Sequence, residues 1–335
     1  MTLQILVPQY EETGEVIAPL LDSIAVQQNV DFNEVGVIIC NDGTDVRPEI
    51  KDYPFKVEYF EEPHRGVSGT RNACLDHATA DYVMFCDADD MFCHVCGLYI
   101  LFREIKNGGF DSLVSAFMEE TRDPRTKDIV YIDHPMDSTF VHGKVHRRQY
   151  LLDNNIRWNE DLTIHEDSYF NCLAQKIASP DRVKYCPTPF YLWKWRDESV
   201  CRHDPKYILK TFNNMLDSNT ALVNQFLLRG RHSDAQYYAT AMIYDSYFTL
   251  NKKEWIDQEN QEYRHNVEVR FSKYYKDFKQ LYLGISEDIK AQIIVGMKNR
   301  MFTEGLLLEH VTFDDWIAKI EAMGKENAND SAGND

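Results

Sequence analysis

Three things are missing from these 335 residues, and each absence excludes a class of protein. No apolar run approaches the roughly 20 residues needed to span a bilayer, and no charged-then-apolar leader opens the chain, so no transmembrane segment is expected. Positive charge is scarce: 36 Lys and Arg stand against 54 Asp and Glu, a formal net charge of −18. A protein that neutralises many phosphates needs basic surface, so general nucleic-acid binding is not expected, although a local basic groove stays open. A disulfide framework is missing as well. Cys40, Cys74, Cys86, Cys93, Cys96, Cys172, Cys186 and Cys201 lie scattered through apolar segments, which fits free thiols in a reducing cytoplasm. Cys93-His94-Val95-Cys96 has the spacing of half a zinc site, but a structural site needs four ligands. No second Cys-x-x-Cys exists, and the pair reads as part of an amphipathic helix.

What is present is ordinary for a globular protein: 44% hydrophobic and 27% charged residues, with length for one large domain or two smaller ones. Leu3 to Val7 is an apolar run stopped by Pro8, a buried first strand. Ile17, Leu20, Leu21 and Ile24 then fall at helical spacing. Val35 to Cys40 is a second buried strand ending in the turn signal Asn41-Asp42-Gly43-Thr44-Asp45, and Val57 to Phe60 is a third. Gly66 to Asn72 opens a helix, and Tyr82 to Cys86 is a fourth strand. This alternation predicts an α/β fold with a mostly parallel sheet. In such sheets ligands bind beyond the carboxyl ends of the strands, where Pro8 to Tyr10, Asn41 to Asp45 and Asp87 to Asp90 all fall.

Further strands are expected over Asp111 to Met118, Ile129 to Asp133 and Phe140 to Arg148, and an extended stretch broken by prolines over Arg182 to Trp195. Helices are expected over Cys93 to Ile105, Arg148 to Asn154 and Ser168 to Ala178. Composition changes near Pro205, after which long segments keep helical spacing. Ser233 to Gln236 and Thr312 to Asp315 have the spacing of capping boxes. The expected organisation is a catalytic domain over 1–204, a helical region over 205–325 and a disordered tail over 326–335.

The central stretch is Asp81 to Asp90. Asp87, Asp89 and Asp90 crowd the point where a strand gives way to a loop, and they repel one another unless a cation sits among them. Hard divalent ions such as Mn²⁺ or Mg²⁺ suit such oxygens and often share them with phosphates. A solvated turn capping a helix that starts near Met91 is the other reading of the same residues.

Pro8-Gln-Tyr10, Asn41-Asp-Gly-Thr44, Gly66-Val-Ser-Gly-Thr-Arg-Asn72, Asp87-Ala-Asp-Asp90 and Glu166-Asp167, in that order, resemble the motifs of glycosyltransferase family 2. His142 to Arg148 and Tyr191 to Ser199 resemble later segments of the same family. Asn41 departs from the pattern by replacing the first of two acids. The resemblance implies the A-type nucleotide-diphospho-sugar transferase (GT-A) fold with an appended helical region. It also implies a metal-dependent, inverting transfer from a nucleotide-diphospho-sugar, expected to be a UDP-sugar.

By that resemblance Pro8, Tyr10, Asp42, Gly66, Arg71, Asp87 and Ala88 surround the donor nucleotide. Tyr10 would stack on the base or else cover the core as a rim aromatic. Asp42 would accept uracil N3–H or else close a simple turn. Arg71 would bind a base carbonyl, or form an ion pair with Asp42 or Asp87. Asp89 would ligate the metal directly, with Asp87 at the same metal site holding the ribose or a metal-bound water, while Asp90 reads better as a helix cap. Asp167 would be the general base with Glu166 orienting the site; an acidic pair capping the following helix is the alternative. Lys194, Arg196, Arg202 and His203 are candidate diphosphate contacts, or solvated charges. A nucleotidyltransferase and a non-catalytic sugar- or partner-binding module remain competing functions. The acceptor could be a glycan, a lipid-linked glycan, a protein or another hydroxyl compound.

Overall fold

The computed structural model describes residues 1–123, 125–196, 207–253 and 261–332. The chain separates into two compact units, Met1–Ser199 and Val200–Asp335.

In the first unit, nine strands among the described residues form one sheet. Four parallel strands make its first half: β1 (Leu3–Gln9), β2 (Val35–Asp42), β3 (Lys56–Glu62) and β4 (Tyr82–Phe85), in the spatial order β3-β2-β1-β4. Every residue of β2 is buried, as expected of a parallel strand covered on both faces. Ile17, Leu20, Leu21 and Ile24 of α1 (Gly14–Ala25) are buried with Ile5, Val7, Val37 and Ile39 in one core. The register pairs Pro8 with Cys40, so β1 continues through the proline to Gln9. Its pairing with β4 ends at Leu6. Beyond that point β1 has an open edge, where a residue without an N–H costs no ladder bond.

The sheet continues through β8 (Lys144–Arg147), β6 (Ser112–Arg122), β9 (Val183–Trp193) and β5 (Met91–Phe92), with β7 (Ile129–His134) pairing β6. β6 and β9 run in the direction of β4, and β5, β7 and β8 run against it. The sheet is therefore mixed and mostly parallel. Pro187 and Pro189 do not end β9. The register shifts between Ser115 and Phe117, which pair with Cys186 and Tyr191, so the prolines sit in an irregularity where no ladder bond is lost.

The other helices of this unit are α2 (Gly66–His77), α3 (Gly97–Lys106), α4 (Arg148–Asp153) and α5 (Glu166–Ile177). α3 begins four residues later than expected, with Cys96 at its N-cap, so Cys93 precedes the helix. Met91 and Phe92 form β5 against Leu192 and Tyr191.

The second unit is helical: α6 (Tyr207–Leu228), α7 (His232–Leu250), α8 (Gln261–Gly284), α9 (Glu287–Glu304) and α10 (Phe313–Ala332). Aromatic residues fill its interior, with Trp316 5.0 Å from the Phe271 ring and 5.6 Å from Tyr247. Thr312 forms half of the expected capping box: its Oγ1 accepts Asp315 N–H at 3.1 Å, while the Asp315 carboxylate takes the Thr312 hydroxyl at 2.7 Å rather than the backbone N–H. The expected box at Ser233 does not form. α7 starts at His232, and Arg231 reaches forward to Asp234 at 2.6 Å. The last helix runs to Ala332, and residues 333–335 of the expected tail lie outside the described residues.

Candidate active site

β1, β2 and β4 lie in register, Gln9 beside Asn41 and Leu6 beside Phe85, so the segments leaving their carboxyl ends emerge side by side. A crevice of about 450 Å³ opens there. Its wall holds Pro8, Tyr10, Asp42, Gly66, Arg71, Asp87 and Ala88, together with Asp89 and Arg196. Every residue expected around the donor nucleotide is thus brought to one place. Gln9, Val67 and Thr70, which lie inside the quoted motifs, line it too, with Glu12 and His64; none of the five was expected to touch the nucleotide. Lys194 is not among the lining residues and gives its backbone N–H to Asp90, and Arg202 and His203 lie outside the described residues.

At one end of the crevice, Tyr10 is 47% exposed and its ring lies 5.4 Å from that of His64, tilted by 43°. Asp42 is buried at the end of β2. Its Oδ1 accepts the Arg65 N–H at 2.7 Å, and its Oδ2 lies 3.0 Å from His64 Nδ1. Gly43 permits this closure. Its φ is +74°, and a Cβ there would come within 2.5 Å of the His64 nitrogen. Asn41, where the family pattern has an acid, builds the turn. Its side-chain amide donates to Thr44 O at 3.0 Å and Val46 O at 3.1 Å, and its Oδ1 accepts Thr44 N–H at 2.8 Å.

The acidic loop divides its three carboxylates. Asp87 accepts Arg71 Nη2–H at 2.8 Å, and Asp89 accepts Arg196 Nη1–H at 2.8 Å. Each therefore has one oxygen on an arginine and a place in the crevice wall. Asp90 turns inward and is buried. It caps no helix, since the next residues form β5. Its Oδ2 accepts Tyr191 O–H at 2.5 Å and its Oδ1 the Lys194 N–H at 2.9 Å, so it pins the loop to β9 and the segment beyond it. Burial raises its pKa well above the carboxylate range, with Asp89 and Asp87 adding to the rise. Among the described residues, Asp87, Asp90 and His142 bring ligand atoms within 4.8 Å of one another, a trio that shares only Asp87 with the expected pair of Asp87 and Asp89. Asp90's bonds to Tyr191 and Lys194 make it the least available of the acids. Asp87 and Asp89, both lining the crevice, carry the kind of oxygen donor that a hard divalent ion takes.

α2 carries the other side of the site. Its buried polar residues look wasteful until their partners are traced. Ser68 Oγ–H donates to Leu162 O at 3.3 Å, and Asn72 exchanges two bonds of 3.0 Å with the Trp158 backbone. Asn72 also donates to Glu160 at 3.0 Å, and Arg65 pairs with the same carboxylate at 2.6 Å. Arg71, only 4% exposed, spans from Asp87 to Glu166, 3.0 Å from the latter, with its guanidinium 4.4 Å from the Trp158 ring. Of the alternatives open for Arg71, the ion pair with Asp87 forms, and Glu166 is its second partner. The polar residues of the Gly66 to Asn72 motif thus hold the segment that delivers Glu166 and Asp167.

That segment enters α5 through His165, whose φ of +64° is uncommon for a residue with a side chain. Asp167 lies in the first turn of α5, its Oδ1 accepting the Ser168 N–H at 2.8 Å. Burial, followed by the charge of Glu166, pushes its pKa up to about 7, and Arg71 works against the rise. A carboxyl group poised there suits proton transfer near neutral pH.

Residues 4–167 match the model for Glycosyl transferase family 2. They are a glycosyltransferase family 2 domain. The uncharacterized glycosyltransferase EpsJ of Bacillus subtilis (strain 168) is 25% identical over 221 residues, covering 59% of this chain and 62% of EpsJ. The poly(ribitol-phosphate) β-N-acetylglucosaminyltransferase TarS of Staphylococcus aureus is 24% identical over 217 residues, covering 60% of this chain and 37% of TarS. The chain thus matches less than two thirds of the length of either. The crystal structure of the S. aureus TarS 1–349 fragment with UDP-GlcNAc superposes with a TM-score of 0.56 at 17% identity, over 91% of this chain and 92% of that one. The shared architecture is the GT-A fold. Within the family 2 domain, the one crevice residue that bridges two motifs unnoticed in the sequence is His64, since it stands between the Asp42 turn and the Gly66 helix and belongs to neither.

Proposed function

We propose that the protein is a divalent-metal-dependent glycosyltransferase that moves a sugar from a UDP-sugar to an acceptor hydroxyl with inversion. One observation carries the reading: Arg71 ties Asp87, in the crevice wall at the strand ends, to Glu166, next to a carboxyl held at about 7. Tyr10 offers its exposed ring to the base and Asp42 a carboxylate oxygen to uracil N3–H. Arg196 sets a cation beside the diphosphate. Asp89 and Asp87 would hold Mn²⁺ or Mg²⁺, which stabilises charge on a leaving diphosphate. Asp167 takes the proton of the acceptor hydroxyl as that oxygen attacks the anomeric carbon, and Glu166, held by Arg71, keeps the turn in place. Among the relatives, TarS is named for transfer of N-acetylglucosamine and has been solved with UDP-GlcNAc, which makes UDP-GlcNAc the first donor to try.

The test is release of UDP from a panel of UDP-sugars in Mn²⁺, without and then with pools of glycan, lipid-linked and protein acceptors. Slow release that an acceptor pool accelerates supports the reading, and NMR of the product reports the anomeric outcome. No release from any UDP-sugar, with either ion, would overturn it.

A further inference from the structure

The hairpin of β6 and β7 leaves a strand edge open. Asp123 N–H donates to Asp128 O at 2.9 Å, which makes these two a hydrogen-bonded pair of the antiparallel ladder. Such pairs alternate, so Val130 and Ile132 turn their N–H and C=O groups toward β6, and Ile129, Tyr131 and Asp133 turn theirs outward. Among the described residues, no strand pairs with β7 on that side. The side chains are open as well: Ile129 is 50% exposed, Tyr131 54% and Ile132 45%, and neighbours in the strand point to opposite faces. Soluble proteins blunt such an edge with proline, a bulge or inward-pointing charge. Ile129-Val-Tyr-Ile132 has no proline and no charge, and the pairing of β7 runs without a bulge.

We propose that this edge is a self-association surface, on which a second copy of the chain pairs its own β7, antiparallel, about a twofold axis at Val130. The residues around the edge choose the occupant. Pairing about Val130 sets Ile129 opposite Tyr131 of the second copy, and Tyr131 opposite its Ile129. All four residues are of the outward-turned kind, so each pair exchanges two backbone hydrogen bonds and joins a β-branched side chain to an aromatic one. The same register brings the exposed side chain of Lys127 to the exposed Asp133 of the second copy, once at each end. Sliding one copy by two residues sets Ile129 against Asp133 in one direction and Lys127 against Tyr131 in the other. Charge therefore selects the register about Val130. One patch meets itself, so assembly closes at two copies. With a single strand from each side, the interface belongs to the small, weakly associating class.

Sedimentation equilibrium of the whole chain, from about 1 µM to about 1 mM, covers the range of such an interface and tests the proposal. Wild type is expected to pass from one copy to two. Lys127→Asp sets like charges opposite each other at both ends and should weaken the dimer at least about tenfold. Adding Asp133→Lys to that variant restores opposite charges and should recover the wild-type dissociation constant. Tyr131→Pro removes an outward N–H that the ladder with β6 does not use, and it should abolish the dimer; a thermal melt verifies that each variant keeps the fold. A wild type that stays single throughout the range would overturn the proposal, as would assembly into three or more copies. So would a dimer that Tyr131→Pro leaves intact, or one that the double charge reversal fails to restore.

Discussion

Replacing Asp167 by Asn keeps the shape of the side chain and removes its capacity to take a proton. If Asp167 is the base, turnover should fall by about 10²–10⁴-fold while donor affinity stays near wild type. A helix cap predicts almost no change, because Asn caps about as well as Asp. The pH profile gives a sharper reading. With the carboxyl held at about 7 in the free chain, about a tenth of molecules carry it ionised at pH 6 and about nine-tenths at pH 8. The kcat/KM of the wild type should therefore rise roughly tenfold between those values, whereas an ordinary carboxylate would give a flat line. Stability should move the other way. The folded state holds this proton more tightly than the unfolded chain, whose value is 3.8. Unfolding free energy should then decline as pH rises from about 4 to about 7, by at most about 4 kcal/mol shared with Glu166 and Arg71. Asp167→Asn should flatten both curves. Initial rates at saturating and limiting donor, with urea melts at each pH, measure the two together. A wild-type kcat/KM independent of pH between 6 and 8, or near-normal turnover in Asp167→Asn, would refute the assignment.

The remaining expectations concern the struts of the site. EDTA should abolish transfer and added Mn²⁺ or Mg²⁺ restore it; Asp89→Ala should lower the rate at least about 100-fold in the presence of metal, with little change in melting temperature, and full activity in EDTA would sink the metal assignment. Asn72→Ala removes a buried side chain that satisfies both ends of the Trp158 backbone, so it should cost about 1–3 kcal/mol, read as a fall in the denaturation midpoint. Asp90→Ala leaves the Tyr191 hydroxyl and the Lys194 N–H without their buried partner; a loss of about 1–3 kcal/mol is expected, against almost none for Asp89→Ala, and equal effects of the two would contradict the inward placement of Asp90.

The parallel half of the sheet was legible because buried parallel strands read as unbroken apolar runs, and Val35 to Cys40 is such a run. Its polar ends were legible too, since a carboxylate that follows a strand of this kind has one place to go. β5 was not legible. Two residues show no period, and an Asp ahead of an apolar pair looks the same whether it caps a helix or reaches inward. What decides it is Tyr191, 101 residues away in sequence from Asp90. His64 went unnoticed for a related reason: its partner Asp42 is 22 residues upstream, and only the turn at Gly43 brings the two together. The box at Ser233 failed because Arg231 and Asp234 close that end first, a competition that spacing alone does not rank. At Thr312 the hydroxyl accepts the Asp315 N–H, and half of the box forms.

The bonds from α2 to residues 158–166 bear on protein engineering. Recombining glycosyltransferases to change the acceptor invites a cut between the donor half and the later part of the domain. Here that seam would run through Arg65–Glu160, Asn72–Trp158 and Arg71–Glu166. A transplanted segment would arrive without the helix that holds it, and the host helix would be left with a buried arginine and asparagine short of their partners. Productive chimaeras of this chain would carry α2 and residues 158–167 as one cassette, although some ninety positions of sequence separate their contacting residues.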